Sequence, residues 1–203
     1  VILPLWTVAA EAAEARVAPP PAGFTDLRGL PGLAFQIAYA TPDNFTGAPL
    51  PGYEAAGAWL RDAPAQALVR VAAALSAEGY GLLIYDAYRP ERASRAMVAW
   101  TEQTHQQHLI AEGYIAARSM HNRGVAVDLT LTRGGVPVEM GTPFDAFTTE
   151  SHTRNASGLA LENRLRLAGA MKVEGFVPYP TEWWHFQYSG DAAPIDVPYA
   201  MQR

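Results

Sequence analysis

Residues 125–131, Val-Ala-Val-Asp-Leu-Thr-Leu, alternate in character and carry one acid in an otherwise apolar run. A period of two with β-branched residues predicts a strand that is at least half buried. Asp128 lies inside it. A buried carboxylate is strongly disfavoured unless it is paired or bound to a cation. A salt bridge to Arg123 or Arg133 would satisfy it, and so would a metal ion.

The elements around this strand predict an α+β domain. Gly134-Gly135 marks a turn, with Val136–Val138 returning as a hairpin partner. Leu33–Tyr39 and Leu82–Tyr85 read as strands, and so do Phe176–Val177 and Trp183–Tyr188. Apolar spacing predicts helices over Asp62–Glu78, Glu91–His108 and Leu159–Glu174, with Gly79 and Gly175 at two of the stops. Residues 41–52 are rich in turn formers and read as a loop, and residues 191–203 as a proline-punctuated tail.

A chain of 203 residues suits one domain and folds without help from a metal. Any metal would therefore serve chemistry. The chain has no cysteine, which excludes disulfides, a thiol nucleophile and thiolate metal sites. Ligands must be His, Asp or Glu. A net charge of −5 with dispersed basic residues gives no nucleic-acid face.

Val1–Ala10 is apolar, and Ala10-Glu11-Ala12 or Ala13-Glu14-Ala15 follows, as at the end of a secretory leader. The stretch is too short to span a bilayer, so no stable membrane insertion is expected. A short amphipathic helix docked on the body is the alternative. The reading is a periplasmic or secreted protein, with a cytoplasmic one as the alternative. Residues 1–23 are read as a leader remnant and a proline-rich linker without fixed structure, and residues 24–203 as the catalytic domain.

Two further segments carry chemistry. His121 stands just before the acid-bearing strand, with Gly124 permitting a turn or a close backbone approach. Glu182 and His185 lie in EWWHF near the C-terminus. A His, an Asp and a distant His form an N/O donor set suited to a catalytic zinc with one position left for water. Side chains three apart on a regular strand point to opposite faces. Glu182 can join His185 only from the strand's lead-in, and Pro180-Thr181 just before it favours that. Arg89, between a strand and a helix and restrained by Pro90, presents a guanidinium from a rigid edge. It would meet an anion there, or pair with Asp86 or Glu91.

YDAYRP (Tyr85–Pro90), SxHxRGxAxDLTL (Ser119–Leu131), MGTPFD (Met140–Asp145) and EWWHF (Glu182–Phe186) occur in this order. YATPDNFTG (Tyr39–Gly47) precedes them. With this spacing, from about Phe24 to Tyr188, the chain resembles the VanX-type D-alanyl-D-alanine dipeptidases. The resemblance implies one zinc ion per chain, held by His121, Asp128 and His185, with Glu182 as general base and then acid. It implies that Arg89 stabilises the tetrahedral intermediate. Ser119 would hold the substrate carboxylate, and Asp145 with Tyr39 its ammonium. It also implies the compact fold shared with zinc D,D-carboxypeptidases and the Hedgehog signalling domain, a central antiparallel sheet with flanking helices. The substrate would be a free dipeptide; the sequence does not set an oligomeric state. A D,D-carboxypeptidase or peptidoglycan endopeptidase on the same scaffold is the alternative. A non-catalytic wall-binding module is another, though it would need neither Glu182 nor Arg89. The chain departs from relatives at Phe186, where a Tyr also occurs, and in a shorter Thr101–Ala117 region.

Overall fold

The structure is a computed structural model that describes residues 17–116 and 118–202. The leader-like stretch falls outside the described residues. Strand β1 (Phe24–Asp26) leads to β2 (Leu33–Phe35) and β3 (Trp59–Arg61), and β1 pairs antiparallel with β3. Helix α1 (Asp62–Ala77) and β4 (Gly81–Asp86) follow, then α2 (Glu91–Gln103) and the single turn α3 (His108–Ala111). Strand β5 (Ala126–Arg133) makes a hairpin with β6 (Val136–Pro137). Helix α4 (Gly158–Val173), β7 (Phe176–Pro178) and β8 (His185–Tyr188) complete the chain's elements.

The main sheet runs β2-β4-β5-β8-β7, with β6 beside β5. Its pairs are antiparallel as expected, except β2–β4, which is parallel. On β5, Val127, Leu129 and Leu131 join the apolar core with Leu68 and Leu75 of α1 and Leu167 and Met171 of α4. Period two then turns Asp128 and Thr130 to the other face. Asp128 stands opposite Asp86 on β4 and opposite His185 on β8. Directly opposed side chains share a face, so register lines up three polar groups across three strands.

Three boundaries differ from the sequence expectations by two residues or more, each for a local reason. The Leu33 strand stops at Phe35, because residues 38–40 wind into a 3-10 turn that carries Tyr39 inward. The second helix ends at Gln103 rather than His108: Thr104 bonds back to the Trp100 carbonyl and His105 takes a left-handed φ of 58°. The last strand begins at His185, since the backbone still turns at residues 183–184, although the Trp184 carbonyl already accepts from Leu129 N–H of β5. The expected proline-rich linker is also held in place at its N-terminal end. Val17 bridges Met201, and Ala18 N–H bonds the Ala200 carbonyl at 2.8 Å.

The proline-punctuated tail is part of the core. Tyr199 is fully buried, and its hydroxyl donates to the Tyr88 carbonyl at 2.6 Å. Its ring packs 4.4 Å from Trp59 and 5.3 Å from Tyr53, measured between centroids. A Cβ on Gly57 would come within 1.9 Å of the same ring, so only glycine fits beside it.

Candidate metal centre

A 3-10 turn, Met120–Arg123, positions His121. Ser119 caps it: Ser119 Oγ accepts from His121 N–H, and Asn122 Oδ1 accepts from Ser119 N–H. Gly124 ends it with a left-handed φ of 70°, and an added Cβ would lie 2.2 Å from the Phe24 ring. Glycine is required there on both counts, as its place in the sequence suggested.

His121 Nδ1 lies 2.5 Å from the Ala87 carbonyl. A carbonyl only accepts, so in the neutral ring the proton sits on Nδ1 and Nε2 offers a lone pair. That Nε2 faces Asp128 Oδ2 at 3.2 Å and His185 Nδ1 at 3.1 Å. His185 Nδ1 in turn lies 2.9 Å from Asp128 Oδ1. One donor atom from each residue falls within 4.8 Å of the others, and all three residues are buried. The Gln187 amide nitrogen is 3.1 Å from His185 Nε2. Turned over, that amide accepts from Nε2–H and leaves Nδ1 as a ligand. Ring nitrogens backed by acceptors on their far side are the usual support of metal-bound histidines.

The remaining residues named from sequence gather here too. Tyr39, Arg89, Ser119, Asp145 and Glu182 line one pocket with the three donors. Its volume of about 210 Å³ is below the range usual for drug-sized ligands, roughly 300–1,000 Å³, and suits a small substrate. Glu182 sits in the turn before β8, on the same side as His185, with its carboxylate 4.0 Å from His185 Nδ1. It is beside the donor group without belonging to it. The Tyr39 hydroxyl donates to the Asp145 carboxylate at 3.0 and 3.2 Å. Asp145 adopts a φ of 58°, a strained backbone for a non-glycine residue that aims its side chain from a tight loop.

Arg89 pairs with Asp86 through two nitrogens, at 2.9 and 3.0 Å, and approaches Asp128 at 3.6 Å. Its guanidinium also lies over the Tyr39 ring, 4.9 Å from the centroid. Of the pairings considered from sequence, Asp86 is therefore realised. Arg123 instead bonds the Ala192 carbonyl, and Arg133 lies over Tyr80. Asp86 is also held by the Tyr53 hydroxyl at 2.6 Å. Sequence reading offered Asp86 only as a partner of Arg89, and it missed Tyr53 and Gln187. Gln187 was within reach, since it lies two residues from His185 and so on the same strand face.

Burial lifts Glu182 well above the usual carboxylate range, and the charges of Asp128 and Asp145 push the same way. Asp145 is raised by burial and then by Asp128, against the pull of Arg89. Burial would raise Asp128 as well, but the imidazoles of His121 and His185 outweigh it and hold this acid low. Burial lowers His185, which favours the neutral ring a ligand needs. Four carboxylates, Asp86, Asp128, Asp145 and Glu182, thus crowd around the Arg89 cation. A divalent ion among the donor atoms would relieve that crowding, so the residues present fit one.

The family model described as D-ala-D-ala dipeptidase, of the Peptidase_M15 group, matches residues 21–202. A D-alanyl-D-alanine dipeptidase of Enterococcus faecium is 37% identical over 183 residues, covering 81% of this chain and 90% of that protein. One from Escherichia coli K12 is 36% identical over 160 residues, covering 77% of this chain and 79% of its own length. The solved LdcB LD-carboxypeptidase superposes with a TM-score of 0.52 at 17% identity, over 85% of this chain and 70% of that one, a likeness of fold.

Proposed function

This chain belongs to the Peptidase_M15 family of D-Ala-D-Ala dipeptidases, and from that premise we propose that it hydrolyses free D-Ala-D-Ala to two D-alanines at a zinc ion held by His121, Asp128 and His185. The observation that carries the reading is the convergence of His121 Nε2, the Asp128 carboxylate and His185 Nδ1, with Glu182 at their side. An all-N/O donor set of this size suits zinc with one position left open.

Zinc, when bound, supplies the Lewis acidity that makes water nucleophilic at neutral pH. Glu182, which burial makes a stronger base than an exposed carboxylate, accepts a proton from the attacking water and passes it to the leaving amine. Arg89, locked by Asp86, holds its charge where the carbonyl oxygen becomes an anion. Asp145 binds the substrate ammonium, and Tyr39 orients that carboxylate through its hydroxyl. Ser119 keeps its own O–H to donate to the substrate carboxylate while its oxygen caps the His121 turn. A longer peptide would set a neutral amide against Asp145, leaving that acid without a charged partner. The small pocket therefore favours the free dipeptide over the acylated peptides of a D,D-carboxypeptidase.

Metal content and D-alanine release test the reading together. Purified protein should carry about one zinc per chain, release D-alanine from D-Ala-D-Ala but little from an acylated pentapeptide, and lose that activity to a chelator. Faster release from the pentapeptide would make it a carboxypeptidase. Zinc binding without turnover of either would make it a binding module. The leader-like residues 1–15 support a periplasmic or secreted location, which cell fractionation tests. Residues 24–203 form the proposed catalytic domain.

A further inference from the structure

Two anions must be accommodated when a dipeptide is cleaved here, the developing oxyanion and the substrate's own carboxylate. Arg89 is assigned to the first and has little left for the second, since its three nitrogens already meet Asp86, Asp128 and the Met97 sulfur. A hydroxyl alone is a modest partner for a carboxylate in a pocket that already holds Asp128, Asp145 and Glu182. One more cationic side chain lines that pocket, Arg118, immediately before Ser119. Arg118 is exposed, and among the described residues it makes no ion pair or hydrogen bond. An arginine without an internal partner, on the wall of an acidic pocket, is placed to receive an anion from outside.

We propose that Arg118 is a specificity-determining residue that binds the substrate's terminal carboxylate together with the Ser119 hydroxyl, and so selects peptides with a free C-terminus. The reading rests on the proposed dipeptidase function and adds the charge that this function needs. A guanidinium offers paired N–H groups to a carboxylate, a geometry an ammonium does not reproduce. The stretch is also anchored where it matters. Ser119 caps the turn that carries His121, so the substrate's carboxylate is read two residues from a metal donor.

The test compares D-Ala-D-Ala with its C-terminal amide. The unaltered enzyme should prefer the free acid. Arg118→Ala should raise KM for D-Ala-D-Ala about tenfold or more with a much smaller change in kcat, as expected when binding common to ground and transition states is removed. The same variant should treat acid and amide nearly alike. Arg118→Lys should fall between, and Arg118→Glu should be poorer than alanine on the acid while gaining relative activity on the amide. If Arg118→Ala keeps the acid-to-amide preference of the unaltered enzyme, the role of Arg118 is overturned and the dipeptidase reading stands. If the unaltered protein hydrolyses neither compound, the dipeptidase reading fails and this inference fails with it.

Discussion

The two walls of the pocket are made differently. On the metal side, Asp128 and His185 stand on paired strands and His121 on a capped turn, each fixed by backbone bonds, and both imidazoles have a second contact on the far side of the ring. On the substrate side, Tyr39, Asp145 and Arg118 come from a 3-10 turn and loops. Donor atoms must meet within tenths of an ångström, and strand register delivers that accuracy. Recognition of peptide ends tolerates adjustment, and loops suffice. Variants on the metal side should therefore lose turnover outright, and those on the substrate side should shift preference.

The largest effect expected is at Glu182. Glu182→Ala should lower kcat by about 10²–10⁴, the usual worth of a general acid–base group, while retaining stoichiometric metal. Metal analysis of the purified variant decides it. Loss of the ion would make Glu182 a ligand and erase the boundary between donor set and base.

Arg89→Ala comes next, with a drop of roughly 10²–10³ in kcat. It also leaves Asp86 and Asp128 without their cation, a loss of about 3–5 kcal/mol for a broken buried pair. Rates should be read beside a melting curve. A variant as active as the parent would show that Arg89 serves the fold alone.

On the opposite wall, Asp145→Ala should leave the metal in place and narrow the preference for D-Ala-D-Ala over its N-acetylated form. An unchanged ratio would remove Asp145 from ammonium recognition. Tyr39→Phe should be milder. It deletes one hydroxyl donor worth about 1 kcal/mol, or roughly fivefold in KM. A fall in kcat beyond tenfold would move Tyr39 from orientation to chemistry.

The metal side was also the more legible in sequence. An acid in an apolar strand has few ways to be satisfied, so Asp128 stood out with a salt bridge or a metal as its partner, and the resemblance carried by SxHxRGxAxDLTL and EWWHF pointed to the two histidines. Parity along a strand set the condition that Glu182 reach the site from the lead-in to His185, and the chain does turn there before β8. What could not be read depends on pairing between distant segments. Asp86 faces Asp128 only after a register irregularity between Ile84 and Asp86. The support of His121 is the Ala87 carbonyl, a main-chain atom that no side-chain pattern announces. The early end of α2 has no glycine or proline to signal it, and His105 supplies the left-handed residue instead.

Tyr199 sits far along the chain, yet its ring supports Tyr53, whose hydroxyl grips the acid that clamps Arg89. During synthesis residue 199 must therefore leave the ribosome before this stack can close, after all the proposed catalytic groups have emerged. A nascent chain halted after β8 would display the metal donors and lack the brace behind the guanidinium. A variant truncated before Tyr199 should reproduce that half-built condition.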